Sequence, residues 1–224
     1  MIKVFIGYDS RVPIIYYVAS SSILTRASSP VTISPIMLDQ LNGVFTREKN
    51  ALQSTEFSFS RFLTPYLCDF NGWALYMDND IVCKEDIAKL WELRDDRYAV
   101  MCVKHDYEVE SEMKFLGEKQ TRYEKKNWSS IMLFNCTKCK ALTPDYVNTA
   151  TGLQLHQFKW LESEDLIGEI PKEWNYLVGV YPASGVPSLI HYTDGGPYYN
   201  DYKDVDFAEE WLDEYTSLVT WEKE

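Results

Sequence analysis

Two aspartates, Asp78 and Asp80, follow directly on the apolar stretch Trp73–Met77 and are separated by a single residue, Asn79. Side chains two residues apart in an extended segment point the same way, so the two carboxylates can reach one point. Hard oxygen ligands in this arrangement suit Mg²⁺ or Mn²⁺. The alternative is an ordinary acidic turn after a strand, because Asp and Asn are common turn residues.

The stretch before these aspartates is apolar at every position, which is typical of a strand buried on both faces of a sheet. Open α/β sheets bind their ligands at the carboxyl ends of such strands. A second candidate turn, Gly7-Tyr8-Asp9-Ser10, follows the β-rich residues 2–6, and Pro13 then opens a helix. This order is typical of a nucleotide-binding unit without the GxGxxG fingerprint. It predicts close backbone approach at Gly7 and a base beside Tyr8, with an ordinary strand-to-helix turn as the alternative.

Two further polar side chains stand in apolar surroundings. Arg61 lies in residues 57–70, which are predicted to be helical, and could reach a phosphate or pair structurally with an acid. His191 ends a short predicted strand and precedes the turn Gly195-Gly196-Pro197. A neutral imidazole there could complete a cation site, and a structural histidine is the alternative.

Composition narrows the class of protein. The 224 residues suffice for one α/β domain, here predicted to span residues 1–224. A formal net charge of −12 argues against nucleic acid and anionic lipid as partners, and a phosphate-bearing ligand would need a local counter-charge. No apolar run approaches the roughly 18 residues of a membrane span. The five cysteines, an odd number, and the absence of a signal-peptide pattern predict reduced thiols and a cytoplasmic location.

Further elements follow from the remaining pattern. Residues 98–103 and 128–135 are predicted strands, and residues 144–161 a helix. A C-terminal helix over residues 206–220 is predicted to present one apolar face, composed of Phe207, Trp211, Leu212, Tyr215 and Leu218. Residues 104–127 are long, mixed in charge and poor in apolar anchors, which predicts a mobile lid over the site.

Four stretches in order carry a family resemblance: GYDS after the first strand, SRFLTPYL before LYMDNDIV, SSIMLFN, and IPKEWN followed by IHYTDGGP. Over nearly its whole length the chain thus resembles glycosyltransferase family 8. The resemblance implies a GT-A fold, an α/β architecture whose mixed, mostly parallel sheet is flanked by helices and whose N-terminal half binds the nucleotide. It also implies a nucleotide-sugar donor, usually UDP-linked, Mn²⁺ or Mg²⁺, and retention of anomeric configuration.

The resemblance assigns roles residue by residue. It implies the metal ligands Asp78, Asp80 and His191. It implies donor contacts at Gly7, Tyr8, Asp9, Arg61, Asp78, Asn79, Gly195 and Gly196. The family's Lys after the late His is missing from HYTDGGPYY, its Asn-Ser/Ala-Gly is replaced by Trp-Ser-Ser, and its Asp-Gln-Asp has no clean match. The candidates near that last motif are Gln157 and Asp165, expected to orient donor and acceptor.

The predicted function is therefore a metal-dependent transfer of a hexose, with retention, from a nucleotide sugar such as a UDP-hexose to a saccharide or other acceptor. A same-face route, in which the departing diphosphate helps deprotonate the acceptor, is preferred over a protein nucleophile. Two alternatives remain open: a nucleotidyltransferase that makes a sugar nucleotide, and a non-catalytic module that binds one.

Overall fold

The structure is a computed structural model and describes residues 1–48, 53–106 and 124–220. Strands and helices alternate along most of it. The strands are β1 (Ile2–Gly7), β2 (Val31–Ile36), β3 (Trp73–Met77), β4 (Ile81–Cys83), β5 (Val100–Cys102), β6 (Ile131–Asn135), β7 (Ile167–Glu169), β8 (Tyr176–Leu177) and β9 (Leu189–His191). The α-helices are α1 (Pro13–Leu24), α2 (Thr64–Leu67), α3 (Ile87–Glu92), α4 (Pro144–Thr149), α5 (Gly152–His156) and α6 (Ala208–Val219).

Six strands form the main sheet in the order β2-β1-β3-β6-β5-β7. β1 pairs in parallel with both β2 and β3, and β5 pairs in parallel with β7. β6 alone runs against its neighbours β3 and β5. The mixed, mostly parallel sheet predicted from the sequence is therefore confirmed. The carboxyl ends of β1, β3 and β5 share one edge with the amino end of β6.

Both faces of the central strands are buried, as their continuous apolar sequence predicts. In β3, Ala74 and Tyr76 enter the hydrophobic cluster on one face, while Leu75 and Met77 enter the cluster on the other. The charged residues of this region therefore stand only where β3 ends.

A second, three-stranded sheet begins immediately after the Asp-Asn-Asp turn. Its order is β4-β9-β8, with β4 antiparallel to β9 and β8 parallel to it. Ile81 pairs with His191, so the last residue of β9 comes level with the first residue of β4. The turn that carries Asp78 and Asp80 lies where the chain crosses from one sheet to the other.

Helical segments differ in detail from the prediction. Residues 144–161 hold two helices, because Thr151 adopts an extended conformation and caps α5 through reciprocal hydrogen bonds with Gln154. Residues 57–70 hold a 3₁₀ turn, Ser60–Leu63, that leads into α2. No helix in residues 1–48, 53–106 or 124–220 is long and apolar enough to cross a bilayer.

Two of the five residues predicted to form the apolar face of α6 are exposed, so the prediction is wrong for them. Trp211 is buried, but Leu212 and Leu218 are 42% and 41% exposed. The packed face turns toward Glu214 instead, which is buried between Arg26 and Lys84. Trp211 and Glu214, three residues apart, lie on one face of the helix, and Leu212 is turned about 100° away from Trp211.

Gly7 ends β1 at a position where a side chain has no room. A Cβ atom there would stand 2.4 to 2.8 Å from the ring carbons of Phe57, which is itself 1% exposed. The glycine therefore lets residues 55–63 pack against the end of β1. This packing is sufficient to require a glycine at the end of β1, and the predicted approach of the Gly7 backbone to a ligand stays a prediction.

We expect Gly7→Ala to destabilise the protein by about 1–3 kcal/mol, because the buried ring must shift to admit a methyl group. Urea unfolding of both forms measures this as a lower midpoint at unchanged slope. Phe57→Leu, which removes ring atoms at the point of contact, should make the added methyl group much less costly in the double variant. An unchanged midpoint in Gly7→Ala would contradict this packing.

Candidate functional site

Asp78 stands at the carboxyl end of β3 and is held on all sides by polar partners. Its backbone N–H donates to the carbonyl of Ser130, 2.8 Å away. Its carboxylate accepts a hydrogen bond from the Tyr76 hydroxyl at 2.7 Å, and Arg61 Nη1 lies 2.8 Å from Oδ1. Arg61 also donates to the Ser129 carbonyl at 2.9 Å. These bonds fix the position of the Asp78 carboxylate at the carboxyl end of β3.

The electrostatics of Asp78 reflect its burial. Burial raises the pKa of Asp78 above its ordinary value, and the positive charge of Arg61 opposes that rise. Burial likewise raises the pKa of Tyr76, so its hydroxyl remains a donor to the carboxylate. Arg61 therefore pairs with an acid, as the structural interpretation offered from sequence expects, and its contact with a phosphate stays a prediction.

Asp80 and His191 meet across the start of the second sheet. The Asp80 carbonyl accepts the Tyr192 backbone N–H at 3.0 Å, and His191 Nε2 lies 3.3 Å from Asp80 Oδ1. Asp78, Asp80 and His191 each offer one ligand atom, and these atoms lie within 4.8 Å of one another. The structure thus brings together the three residues predicted as metal ligands.

Asp80 Oδ1 supplies a test of whether a cation fits. This oxygen is buried and accepts no hydrogen bond from the described part of the chain. A buried carboxylate oxygen without a donor is costly unless a cation compensates it. Two carboxylates and an imidazole form a ligand set suited to Mn²⁺ or Mg²⁺, so the residues present fit such an ion.

The turn after β1 lies at the same edge. Tyr8 packs edge-to-face on Tyr16, with ring centroids 5.5 Å apart. Asp9 is buried and accepts from Arg11 Nε at 2.8 Å and Nη2 at 2.6 Å. Burial alone would raise the pKa of Asp9, but the hydrogen bonds and charge of Arg11 outweigh burial and hold this pKa below its usual range.

A cleft connects this turn with Asp80, one of the three predicted metal ligands. Its walls come from the turn after β1, from Ser54 and Thr55, from Asn79 and Asp80, and from the turn after β9. Asp9, Asn79, Asp80 and Gly195, all predicted from sequence, line it together. Gly195 has φ +140°, a backbone region that favours glycine, and Gly196 follows it with the Tyr198 ring against its Cα.

The cleft also has walls that the sequence prediction missed. These are Arg11, Thr193, Tyr198 and Tyr199. Arg11 directly follows the predicted turn, and a cation two residues after a candidate ligand-binding aspartate was the available signal. Asn175, whose Oδ1 lies 2.9 Å from His191 Nδ1, was also missed, although it ends the IPKEWN stretch.

Gln157 and Asp165 differ in their placement. Gln157 follows α5, is half-buried, and its carbonyl accepts from Lys125 Nζ at 3.5 Å. The preceding residue, His156, hydrogen-bonds Ser129 Oγ through Nδ1 at 2.7 Å, so this turn packs against the segment beside Asp78.

Asp165 is not brought into the site. It is exposed, it accepts a hydrogen bond from the Ser163 hydroxyl, and it precedes the first residue of β7, Ile167. Ile167 pairs with Val100, which pairs with Phe134 of β6. Phe134 pairs in turn with Ala74, near the start of β3. Asp165 therefore lies toward the amino end of β3, whereas Asp78 follows its carboxyl end.

The predicted lid over residues 104–127 lies in large part outside the described residues, which exclude 107–123. The described ends of this segment meet at the site edge, where Trp128 Nε1 donates to the His105 carbonyl at 2.8 Å. Asn127 donates its side-chain amide to Thr193 Oγ1 at 3.1 Å.

Comparison with known proteins gives this arrangement a context. The sequence model "Glycosyl transferase family 8" matches residues 21–198. Protein CDI of Arabidopsis thaliana is 48% identical over 221 residues, which cover 95% of this chain and 85% of that protein.

Solved structures share the fold at low identity. The galactosyltransferase LgtC, crystallised with donor and acceptor sugar analogues, is 11% identical with a TM-score of 0.62, covering 99% of this chain and 98% of LgtC. The bifunctional glycosyltransferase WbbM is 16% identical with a TM-score of 0.66, and GlyE of Streptococcus pneumoniae TIGR4 is 15% identical with a TM-score of 0.64. Each match covers 96% of this chain, which spans 49% of WbbM and 61% of GlyE.

These neighbours have the GT-A fold, so the predicted architecture is confirmed. The family match covers most of the chain, including β3, β4 and β9 with all three candidate metal ligands. Together with the relative at 48% identity, it establishes that the chain belongs to glycosyltransferase family 8.

Proposed function

We propose that this glycosyltransferase moves a hexose from a nucleotide sugar, UDP-linked by resemblance, to an acceptor in a reaction that depends on Mn²⁺ or Mg²⁺. The observation that carries the proposal is the convergence of Asp78, Asp80 and His191 beside the cleft, with Asp80 Oδ1 buried and without a donor among the described residues. When bound, the ion would supply a Lewis acid at the departing diphosphate.

The charges around the ion explain why the chain needs a further cation for its donor. Arg61 compensates Asp78, which leaves Asp80 to face a divalent ion. The leaving diphosphate carries at least two negative charges, and an ion already bound by Asp80 does not compensate all of them. Arg11 is the only cation among the described residues that line the cleft.

Arg11 is well placed to supply that charge. Asp9 and the Ser54 carbonyl hold its Nε and Nη2, so the guanidinium is oriented before a ligand arrives. The family's late Lys is missing from residues 191–199, and Arg11 lines the same cleft as Thr193 and Gly195 of that segment. We infer that Arg11 contacts the diphosphate and that the role of Asp9 is to hold Arg11.

Of the remaining predicted donor contacts, Asn79 and Gly195 line the cleft. Tyr8 is assigned to the base, Asn79 to the ribose or sugar, and the Gly195-Gly196 turn to backbone contacts with phosphate. The Gly7 side of the turn contributes backbone only, because Phe57 fills the space beside its Cα.

For the transfer step we retain the same-face route with retention of configuration. No protein base is required there, since the leaving diphosphate itself accepts the acceptor proton. Gln157 remains the candidate for orienting donor and acceptor, and Asp165 is withdrawn because of its position on the sheet. A single domain over residues 1–224, a cytoplasmic location and a saccharide acceptor stay predictions.

A thermal-shift screen of nucleotide sugars with and without Mn²⁺ tests the proposal as a whole, because a ligand that binds only the native state raises the melting temperature. A metal-dependent shift with one donor is the expected result. Slow hydrolysis of that donor would separate an enzyme from a non-catalytic binding module. Formation of a sugar nucleotide from a sugar phosphate would instead support the nucleotidyltransferase alternative.

Asp80→Ala should abolish metal-dependent nucleotide binding and leave folding intact, because it removes one of three ligands at a strand end. We expect nucleoside diphosphate affinity in Mn²⁺ to fall by at least about tenfold, to its metal-free value, in calorimetric titration. Asp165→Ala is the matched control and should bind like the wild type. Full Mn²⁺-dependent affinity in Asp80→Ala would rule out this metal site.

Arg11→Met keeps the bulk of the side chain and removes its charge. Affinity for the nucleoside diphosphate should fall about 10- to 100-fold, the worth of a hydrogen bond to a charged group, while affinity for the nucleoside stays unchanged. The double variant Asp9→Asn, Arg11→Met controls for repulsion by an unpaired Asp9. Equal losses for nucleoside and diphosphate would place Arg11 at the base instead.

Retention is tested on the first-formed product. With an α-linked nucleotide sugar, NMR of the product before mutarotation or further reaction should show the α-linkage. A β-linkage would demonstrate inversion and exclude the same-face route.

A further inference from the structure

A chain of hydrogen bonds reaches His191 from the side away from Asp80. The Asn127 carbonyl accepts from Ser130 Oγ at 2.6 Å and from Asn175 Nδ2 at 3.3 Å. Asn175 Nδ2 also lies 2.8 Å from Ser130 Oγ, and Asn175 Oδ1 lies 2.9 Å from His191 Nδ1. Asn175 is fully buried and His191 is 2% exposed, so water does not compete for these bonds.

The Asn127 carbonyl, at one end of this series of hydrogen bonds, fixes which atom donates and which accepts in each of them. A carbonyl can only accept, so the Ser130 hydroxyl donates to Asn127 and uses its lone pair to accept from Asn175 Nδ2. The amide nitrogen of Asn175 therefore faces Asn127 and Ser130, and its oxygen faces the imidazole. Because that oxygen can only accept, the proton of a neutral His191 resides on Nδ1.

The opposite ring nitrogen is then unprotonated. In a neutral imidazole with Nδ1–H, Nε2 carries a lone pair, and here it faces Asp80 Oδ1 across 3.3 Å. Two lone-pair atoms so close are repulsive in a buried site unless a cation lies against both. The Nδ1–H tautomer is thus the form of His191 that can bind a metal beside Asp80.

We propose that Asn175 is a positioning residue that holds His191 in the metal-binding tautomer and ring orientation. This inference rests on the metal site of the proposed function. The same hydrogen-bonded residues also contact the cleft, because Asn127 donates to Thr193, which lines the cleft two residues after His191. Residues that hold a metal-ligating histidine in this way generally contribute about 10- to 100-fold in metal affinity.

The first experiment observes the tautomer directly, without metal. The chain has three histidines, so long-range ¹H–¹⁵N spectra of histidine-labelled protein give three ring systems, with His191 assigned by its loss in His191→Gln. At about pH 8.5, where free imidazoles are neutral, the wild type should show Nδ1–H at His191. Asn175→Leu should shift this ring toward Nε2–H. Nε2–H in the wild type, or an unchanged Nδ1–H in Asn175→Leu, overturns the proposal.

The second experiment measures Mn²⁺ affinity by electron paramagnetic resonance. Asn175→Leu should bind about 10- to 100-fold more weakly than the wild type. Asn175→Asp keeps an acceptor for Nδ1–H and should keep affinity within about threefold. The matched control is Asn135→Leu. It also removes a buried amide, but at the carboxyl end of β6, whereas Ser130 and the Asn175 site adjoin its amino end. That control should bind like the wild type.

The two variants keep the inference testable even when one fails. If Asn175→Leu does not fold, loss of the Nδ1–H tautomer and of Mn²⁺ affinity in folded Asn175→Asp overturns the proposal, and retention of both supports it. If the wild type binds no Mn²⁺ while Asp80→Ala behaves identically, the proposed metal-dependent function fails. The tautomer spectra then decide the role of Asn175 on their own.

Discussion

The burial of a carboxylate at the end of β3 is the constraint on which the rest of the site depends. Arg61 and the Tyr76 hydroxyl replace the water that the Asp78 carboxyl group has lost, and Arg61 opposes the rise in its pKa that burial causes. Arg61 belongs to a segment whose Phe57 ring occupies the space that Gly7 leaves open. The glycine at the end of the first strand thus helps to place the cation that pairs with an acid at the end of the third.

The second carboxylate belongs to a different environment because the chain changes sheets between the two. Asp78 closes the main sheet and is neutralised by protein groups, whereas Asp80 opens the small sheet beside His191 and keeps an uncompensated oxygen. The first acid therefore anchors the turn, and the second faces the cleft. The two aspartates therefore differ in environment because they adjoin different sheets.

Sequence alone predicted the parts of the site that interrupt an apolar pattern. Asp78 and His191 stand at the ends of apolar strands and Asp80 directly precedes one, and such strands fix where the adjoining residues lie. Asp165 escaped this logic, since its position depends on the register of an edge strand that the sequence does not reveal. Leu212 was misassigned because the packed face of α6 holds an acid, Glu214, whose cationic partners come from distant segments and cannot be read from the helical pattern. Asn175 and Arg11 were missed because both depend on hydrogen-bond partners brought together only by folding.

The reversed direction of β6 has a consequence for how this enzyme can diversify. β5 and β6 are adjacent and antiparallel, so the chain leaves the sheet after β5 and re-enters it at β6 along the edge where Asp78 stands. Both anchor points are secured by strand pairing, and lengthening such a connection adds closure entropy only logarithmically. Insertions or deletions between these strands can therefore change the length of this connection at little cost in free energy. The pairing of β5 with β6, and of β6 with β3, is kept, so the main sheet retains its register whatever the length of the chain between them.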